Sequence, residues 1–508
     1  MKGRRKVFLW TALASVLLNS FSACAETAAN PYGAGLDGYN VPPAAVPQKR
    51  ILLTDLSLNH PVDLSDTFAA DDAPAIAEGL NAVEPGDALV LPDGVYNLKS
   101  AVVLQSGKSL IGQSRDGVVL KMEEGAAGAV IKGDRAEGLR IESLTLTSGR
   151  QGEYPTDPAV NHPQRGSLQY GVVLYGCKQV SLKTVRTENF RIAGVALNSS
   201  AECRIEGNLF SHATDVGPGG NGYGVLLQAW KEEDGAHHNI VANNRMEGPH
   251  LRHGILLQAK THHNLITENE LSGILLDAID LHGMGEYQNE ISFNRIVEGG
   301  ESGIGVGNGP MGQHGASGEK NYVHHNEMVG CVYGVTVMMG TPSAVIEKNR
   351  ILKSERCGIR LWHSRDTIIE GNEIGETAIG VSFQKDGVDG GLPQTVRLTE
   401  NRFHNVQDAV FLQMPAVTEQ LFSLWSGNIN PGGALLCVGG NPQEGKRQMT
   451  VLGAYKDEIL QESAVTETAA ELRLTNPLFD RVRIFIWAAD TLTPEKNIII
   501  IDSRRAKK

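Results

Sequence analysis

The chain is poor in cysteine, in aromatic residues and in positive charge, and it has one long apolar run. Six cysteines are spread over 508 residues. Five of them, Cys177, Cys203, Cys331, Cys357 and Cys437, are odd in number and loosely spaced, and no CxxC occurs. That pattern excludes a disulfide framework and leaves buried free thiols. Lys and Arg total 46 against 58 Asp and Glu, for a formal net charge of -12. A general binder of nucleic acid or of an anionic membrane needs the opposite balance. An acidic glycan held in a local basic cleft remains compatible with it.

The apolar run covers residues 7–18 and follows Lys2, Arg4, Arg5 and Lys6. It is too short to span a bilayer comfortably. Small residues end at Ala25, so residues 1–25 read as a signal peptide and the protein as secreted or cell-surface. Two other readings of the same stretch are a lipid anchor at Cys24 and a twin-arginine signal at Arg4 and Arg5.

Glycine is plentiful, with 58 residues and no collagen period, which implies many turns. Two motifs recur. Apolar-x-x-Asn-x-apolar places Asn208, Asn244, Asn269, Asn294, Asn326, Asn349, Asn372 and Asn401 at steps that repeatedly return to 23 or 25 residues. Between them runs Gly-apolar-x-apolar, at Gly171, Gly194, Gly224, Gly254, Ala278, Gly303, Gly334, Gly358, Gly380 and Ala409. The stretches around both motifs alternate apolar and polar residues, which is strand periodicity. Short strands at this period predict an all-β fold, a single-stranded parallel β-helix whose coils stack at about 4.8 Å. The asparagines then form a structural ladder. Longer steps mark three loops, "WKEEDGAHH", "GNGPMGQHGASGEK" and "KDGVDGGLPQ", expected to wall a groove on one side.

Residues 66–83 predict an amphipathic helix with Asp72 as N-cap and Pro74 in its first turn, suited to closing the N-terminal end. The domain reading is an N-terminal extension over 26–65, the capped β-helix over 66–415 and a β-rich domain over 416–508, read as a small β-sandwich.

The opening "DDAPAIAEGL…PGDALVLPDGVYNL" and the Asn and Gly ladders resemble the pectin-lyase-like superfamily of right-handed parallel β-helices, over roughly residues 50–415. The resemblance implies a polysaccharide partner and spans lyases, hydrolases, epimerases and non-catalytic adhesins. A narrower likeness joins "DLHG" at 280–283 and "RHGILL" at 252–257 to the mannuronan C5-epimerases. Leu281 and Gly283 stand where that motif has Pro and a second Asp, so only Asp280 and His282 carry over. No cofactor is expected. Calcium is common in the superfamily, but the sequence shows no clear acidic cluster for it, and the histidine pairs at 262–263 and 324–325 lack metal-ligand spacing.

Strand alternation points positions +1 and +3 after each Gly or Ala inward and positions +2, +4 and +6 outward. Asp280 and His282 then share an outward face about 7 Å apart. Three glycines in the coil above leave a hollow beside them. Trp230 and Trp362 flank the face, Lys260 lies diagonal to His282, and Gln258, Arg360 and His314 complete a candidate sugar trough. Gln228 and Gln258 also fit a stacked amide ladder. His253 and Asp277, one position before the Gly or Ala, are expected to point inward or into a bend as a supporting polar pair. Arg252 could neutralise a carboxylate.

Two chemistries fit. Elimination or C5-epimerisation of a uronate needs a cation on the carboxylate and a base at the adjacent carbon, offered by Arg252, Lys260 or Arg360 and by His282 or Lys260. Hydrolysis needs two carboxyl groups, and the partner of Asp280 is open, with Glu286 and Asp234 on loops and Asp277 facing away. A third reading is a glycan-binding protein without catalysis.

Overall fold

A computed structural model describes residues 30–231, 234–307, 315–384, 393 and 396–412, and beyond these only backbone strands between 424 and 502. The signal region, Cys24 and His314 lie outside the described residues.

Each coil contributes three short parallel strands. One coil runs Ile240–Ala242, Arg245–Glu247, His253–Leu257; the next runs Leu265–Thr267, Glu270–Ser272, Ile279–Leu281. Equivalent strands pair in register, Ile240 on Leu265, Arg245 on Glu270 and Ile255 on Ile279. The first strands build a 14-stranded sheet and the other two a 22-stranded one. Inward residues stack as columns, such as Val241, Ile266, Ile291, Val323 and Ile346, all at most 1% exposed. Cys177, Cys203, Cys331 and Cys357 are buried and free, and burial pushes the Cys203 thiol up to about 12.

The predicted asparagine ladder is present. The Asn244 amide donates to Asn269 Oδ1 at 2.9 Å, Asn269 to Asn294 at 2.9 Å, and the chain of bonds continues to Asn401. A second ladder, not anticipated from sequence, joins Asn239, Asn264, Asn289 and Asn321 at the preceding corner. Its steps copy those of the first ladder between Asn244 and Asn326, so the signal was there. Residues just after the first ladder alternate in charge in register: Arg245, Glu270, Arg295, Glu327, Arg350, Glu373, Arg402. A slip of one coil would set like charges face to face, so this column helps fix coil order.

Helix α1, Ala73–Ala82, covers the first coils with Ile76 and Leu80 fully buried. It is shorter than predicted, because Asp66 and Phe68 take positive φ ahead of it. Asp72 sits at the N-cap without a side-chain cap bond. Its carboxylate accepts instead from the Asp63 and Asn97 backbone amides at 2.7 and 2.8 Å, pinning the cap to the first coil.

The stretch read as an N-terminal extension already contains a sheet strand, Arg50–Leu52, paired to Ala88–Leu91. Upstream of it, residues 30–45 run along the outside of the 14-stranded sheet as a strap. Arg140 and Arg204 donate to the carbonyls of Ala44 and Val41. Leu36 and Val41 pack on Ile240 and Leu265, and Tyr32 lies 4.8 Å from Tyr322. At the other end the parallel sheet continues past residue 416, where Leu424–Ser426 pairs with Arg397–Thr399. Further on, the strands form antiparallel sheets of two and five strands. Among the described residues no helix is long and apolar enough to cross a membrane.

Candidate active site

Six successive strands carry the face singled out by sequence: β1 Tyr223–Gln228, β2 His253–Leu257, β3 Ile279–Leu281, β4 Ser302–Val306, β5 Tyr333–Pro342 and β6 Cys357–Arg365. Leu256, Asp280, Gly305, Thr336 and Arg360 form one outward column. Below Asp280 this column is apolar, with Ala196, Leu226 and Leu256 packed together beside Tyr223. At Asp280 it turns polar.

Simple alternation fails at the Gly or Ala of each coil, and this changes the site. The Gly254 and Ile255 amides both donate to Ala278 O at 3.0 Å. Ala278 and Ile279 are both wholly buried in the core. Two consecutive residues therefore face inward, as at a β-bulge. The residue before them is thrown outward, so His253 and Asp277 join the face of Asp280 instead of pointing away from it. A Cβ placed on Gly305 would lie 3.2 Å from Asp277 Cγ and 3.4 Å from Asp280 Oδ1. Glycine there makes room for two carboxyl groups side by side.

Asp280 is fully buried. Its Oδ2 is bonded to His282 Nδ1 at 2.6 Å, while its Oδ1 has no hydrogen-bond partner. His282 is 15% exposed. Burial works against the imidazolium, but the Asp280 carboxylate outweighs it and the His282 pKa is raised. Asp277 Oδ1 accepts from the Ser302 amide at 2.8 Å. Burial, then repulsion from Asp280, raises the Asp277 pKa well above its ordinary value. His253 Nδ1 donates to the Asp277 carbonyl, 3.0 Å away, and not to its carboxylate as the sequence suggested. Burial lowers its pKa to about 4, so the ring is neutral. His253, Asp277 and Asp280 each bring one donor atom within 4.8 Å of the others, a group that could hold a cation, though His253 Nδ1 is already engaged.

Glu286, left open by sequence, is completely buried and ties down the turn that follows His282. It accepts from the Gly283 and Met284 amides at 3.0 and 2.9 Å and from Ser317 Oγ at 3.0 Å. Burial raises its pKa to about 7 from an ordinary 4.5. A folded value above the unfolded one means stability is full below about 4.5 and is lost as pH rises through about 7. Relative to Glu286→Gln, the protein should lose about 3 kcal/mol of unfolding free energy across that window, read by denaturant melts at several pH values.

The other predicted residues are dispersed. Arg252 Nη1 is held by the carbonyls of Pro158, Val216 and Gly217 at 3.3, 3.1 and 2.6 Å, so it fastens loops. Lys260 is exposed, because Ala259 and Lys260 take φ of 57° and 60° and end the alternation one turn early. No described contact joins it to His282. The Gln258 amide donates to Gln228 at 2.5 Å, the stacked-amide alternative, and not a free sugar contact. Trp230 packs on Tyr175 at 4.9 Å. Arg360 lies between the Tyr333 and Trp362 rings, 3.8 and 4.8 Å from their centroids, with Nε and Nη2 buried and without partners.

These features define a right-handed parallel β-helix protein, with an acid and imidazole cluster on its outer face. The family described as the right handed beta helix region matches residues 170–334 and 253–414. No curated protein matches the chain. Among solved structures, the catalytic domain of a GH87 α-1,3-glucanase in complex with nigerose is similar at 12% identity and TM-score 0.52, covering 73% of this chain and 70% of that one. The surface protein and adhesin PfbA of Streptococcus pneumoniae is similar at 12% identity and TM-score 0.55, covering 72% and 100%. The A-module of the Azotobacter vinelandii mannuronan C-5 epimerase AlgE6 overlays more loosely, at 16% identity and TM-score 0.48, covering 75% and 98%. Likeness at these identities is one of fold.

Proposed function

We propose that the chain is an exported enzyme that hydrolyses a glycosidic bond of a polysaccharide, with Asp277 as acid and His282, held by Asp280, as base. The observation that carries this is the pairing of two carboxyl groups over Gly305, with the imidazole bonded to the second. Asp277 donates its proton to the glycosidic oxygen as the bond to the anomeric carbon breaks. The far nitrogen of His282 takes a proton from the water that bonds to that carbon. Asp280 touches neither and acts through His282, fixing its tautomer and raising its basicity.

Sequence alone favoured elimination or epimerisation of a uronate. The structure weakens that order in two ways. Arg252 and Lys260, the cations assigned to the uronate carboxylate, are a loop fastener and an exposed turn residue. Asp277, set aside by alternation, supplies the carboxyl that hydrolysis lacked. One observation keeps elimination as the second reading: Arg360, on the same outward column, has Nε and Nη2 without hydrogen-bond partners.

Incubation with a panel of neutral and acidic polysaccharides tests the choice. New reducing ends without unsaturated ends support hydrolysis; unsaturated ends support elimination. Binding without products supports a non-catalytic glycan-binding protein.

The base role also sets a pH dependence. His282 must be neutral to accept a proton, so kcat/KM should rise with pH through its raised pKa. Asp280→Asn removes the charge that raises it and leaves burial, which lowers it. The acid limb should therefore move down, below the ordinary imidazole value of 6.5, alongside a loss in rate. An unmoved limb would assign the titration to another group.

A further inference from the structure

The outward column that holds Asp280 continues in register down to Lys132 and up to Arg360. Lys132 lies five coils below Asp280, about 24 Å along the axis, and Arg360 three coils above it, about 14 Å. The positions between them are apolar or small, with Asp280 the one charge.

An aromatic pair stands at each end. At the lower end Tyr175 and Trp230 lie 4.9 Å apart, with Lys132 Nζ 5.9 Å from the Tyr175 ring and Lys231 Nζ 4.5 Å from the Trp230 ring. At the upper end Arg360 lies between Tyr333 and Trp362, and Arg356 Nη1 donates to the Tyr333 hydroxyl at 3.0 Å. Lys132, Lys231 and Arg356 are exposed. Arg135, beside Trp230, is paired with Asp134 at 3.1 Å. Among the described residues no carboxylate pairs with Lys132, Lys231, Arg356 or Arg360. Cations without counter-ions thus gather on one face of a chain whose net charge is -12.

Packing accounts for part of this, since a cation over a ring is attracted to it and its stem covers apolar surface. Packing still leaves each charge without a counter-ion, and leaves Arg360 Nε and Nη2 buried without acceptors. It gives no reason for cations to bracket the acid and imidazole cluster along its own column.

We propose that this face takes an acidic polysaccharide lengthwise. Its sugar rings stack on the two aromatic pairs. Its anionic groups, carboxylate or sulfate ester, meet Lys132 and Lys231 at one end and Arg356 and Arg360 at the other. The span from Asp280 to Arg360 exceeds one sugar unit, so the upper cations read charge on a sugar beyond the one that reacts. The proposal rests on the glycan reading of this face and holds for hydrolysis and elimination alike.

The test reads binding and not turnover, so its failure is separate from failure of the hydrolase assignment. Polygalacturonate, alginate and dextran sulfate are compared with neutral partners of the same backbone: the two carboxyl-reduced polymers and dextran. Affinity electrophoresis of the wild type and of His282→Ala gives the dissociation constants. At least one acidic probe should bind about tenfold more tightly than its partner at low salt, an advantage that shrinks as NaCl rises. An advantage for a uronate polymer assigns carboxylate, and an advantage for dextran sulfate alone assigns sulfate. Lys132→Gln with Arg356→Gln changes two exposed residues, so it should keep the wild-type thermal transition and lose most of the advantage. Adding Arg360→Gln should remove the remainder. No acidic probe ahead of its neutral partner, or a full advantage in the folded Lys132→Gln, Arg356→Gln variant, would overturn the proposal.

Discussion

Replacing His282 by Ala should lower turnover by about a thousandfold while glycan binding stays near wild type. Positioned acid–base groups contribute about 10²–10⁴ in rate, and this ring is held by one short bond to a buried carboxylate. Asp277→Asn should cost a similar factor, because an amide cannot give up the proton that the glycosidic oxygen needs. It should fold, since an asparagine side-chain oxygen can still accept from the Ser302 amide. Steady-state rates and glycan binding on the same preparations check both variants. Full turnover in either would remove the acid–base assignment.

The second large effect is structural. Asn269→Ala should cost about 3–5 kcal/mol locally. The side chain donates to the Val241 carbonyl and to Asn294 Oδ1, both at 2.9 Å, and accepts from the backbone and side-chain amides of Asn244. Its loss strands several buried polar groups at about 1–3 kcal/mol each. A solenoid transmits stability between neighbours, so hydrogen exchange should accelerate most in the coils on either side of 269 and least near helix α1. Uniform or absent acceleration would deny the ladder its energetic role.

Both ladders follow from rules that act at fixed steps, and these are the parts of the fold a sequence displays well. The Asn column could be read because one residue type returns at the coil period. The second column repeats the same steps and escaped notice only because His, Tyr and Gln vary around it. The outward placement of Asp280 and His282 followed from alternation. The placement of Asp277 did not, because two inward residues in succession look no different in sequence from one inward residue and a turn. Lys260 failed for a related reason: positive φ at Ala259 and Lys260 ends the strand where composition gives no warning. Arg252 looked free because its acceptors, Pro158, Val216 and Gly217, come from loops far away in the sequence. Long-range backbone acceptors leave no local trace.

The central claim is that the Asp277, Asp280 and His282 cluster adds water across a sugar linkage. Digestion in ¹⁸O-labelled water, followed by mass spectrometry of the fragments, tests it most directly. The account predicts one labelled oxygen at each new anomeric carbon, with the label absent from reactions of Asp277→Asn and His282→Ala. Fragments carrying unsaturated ends and no label would contradict it.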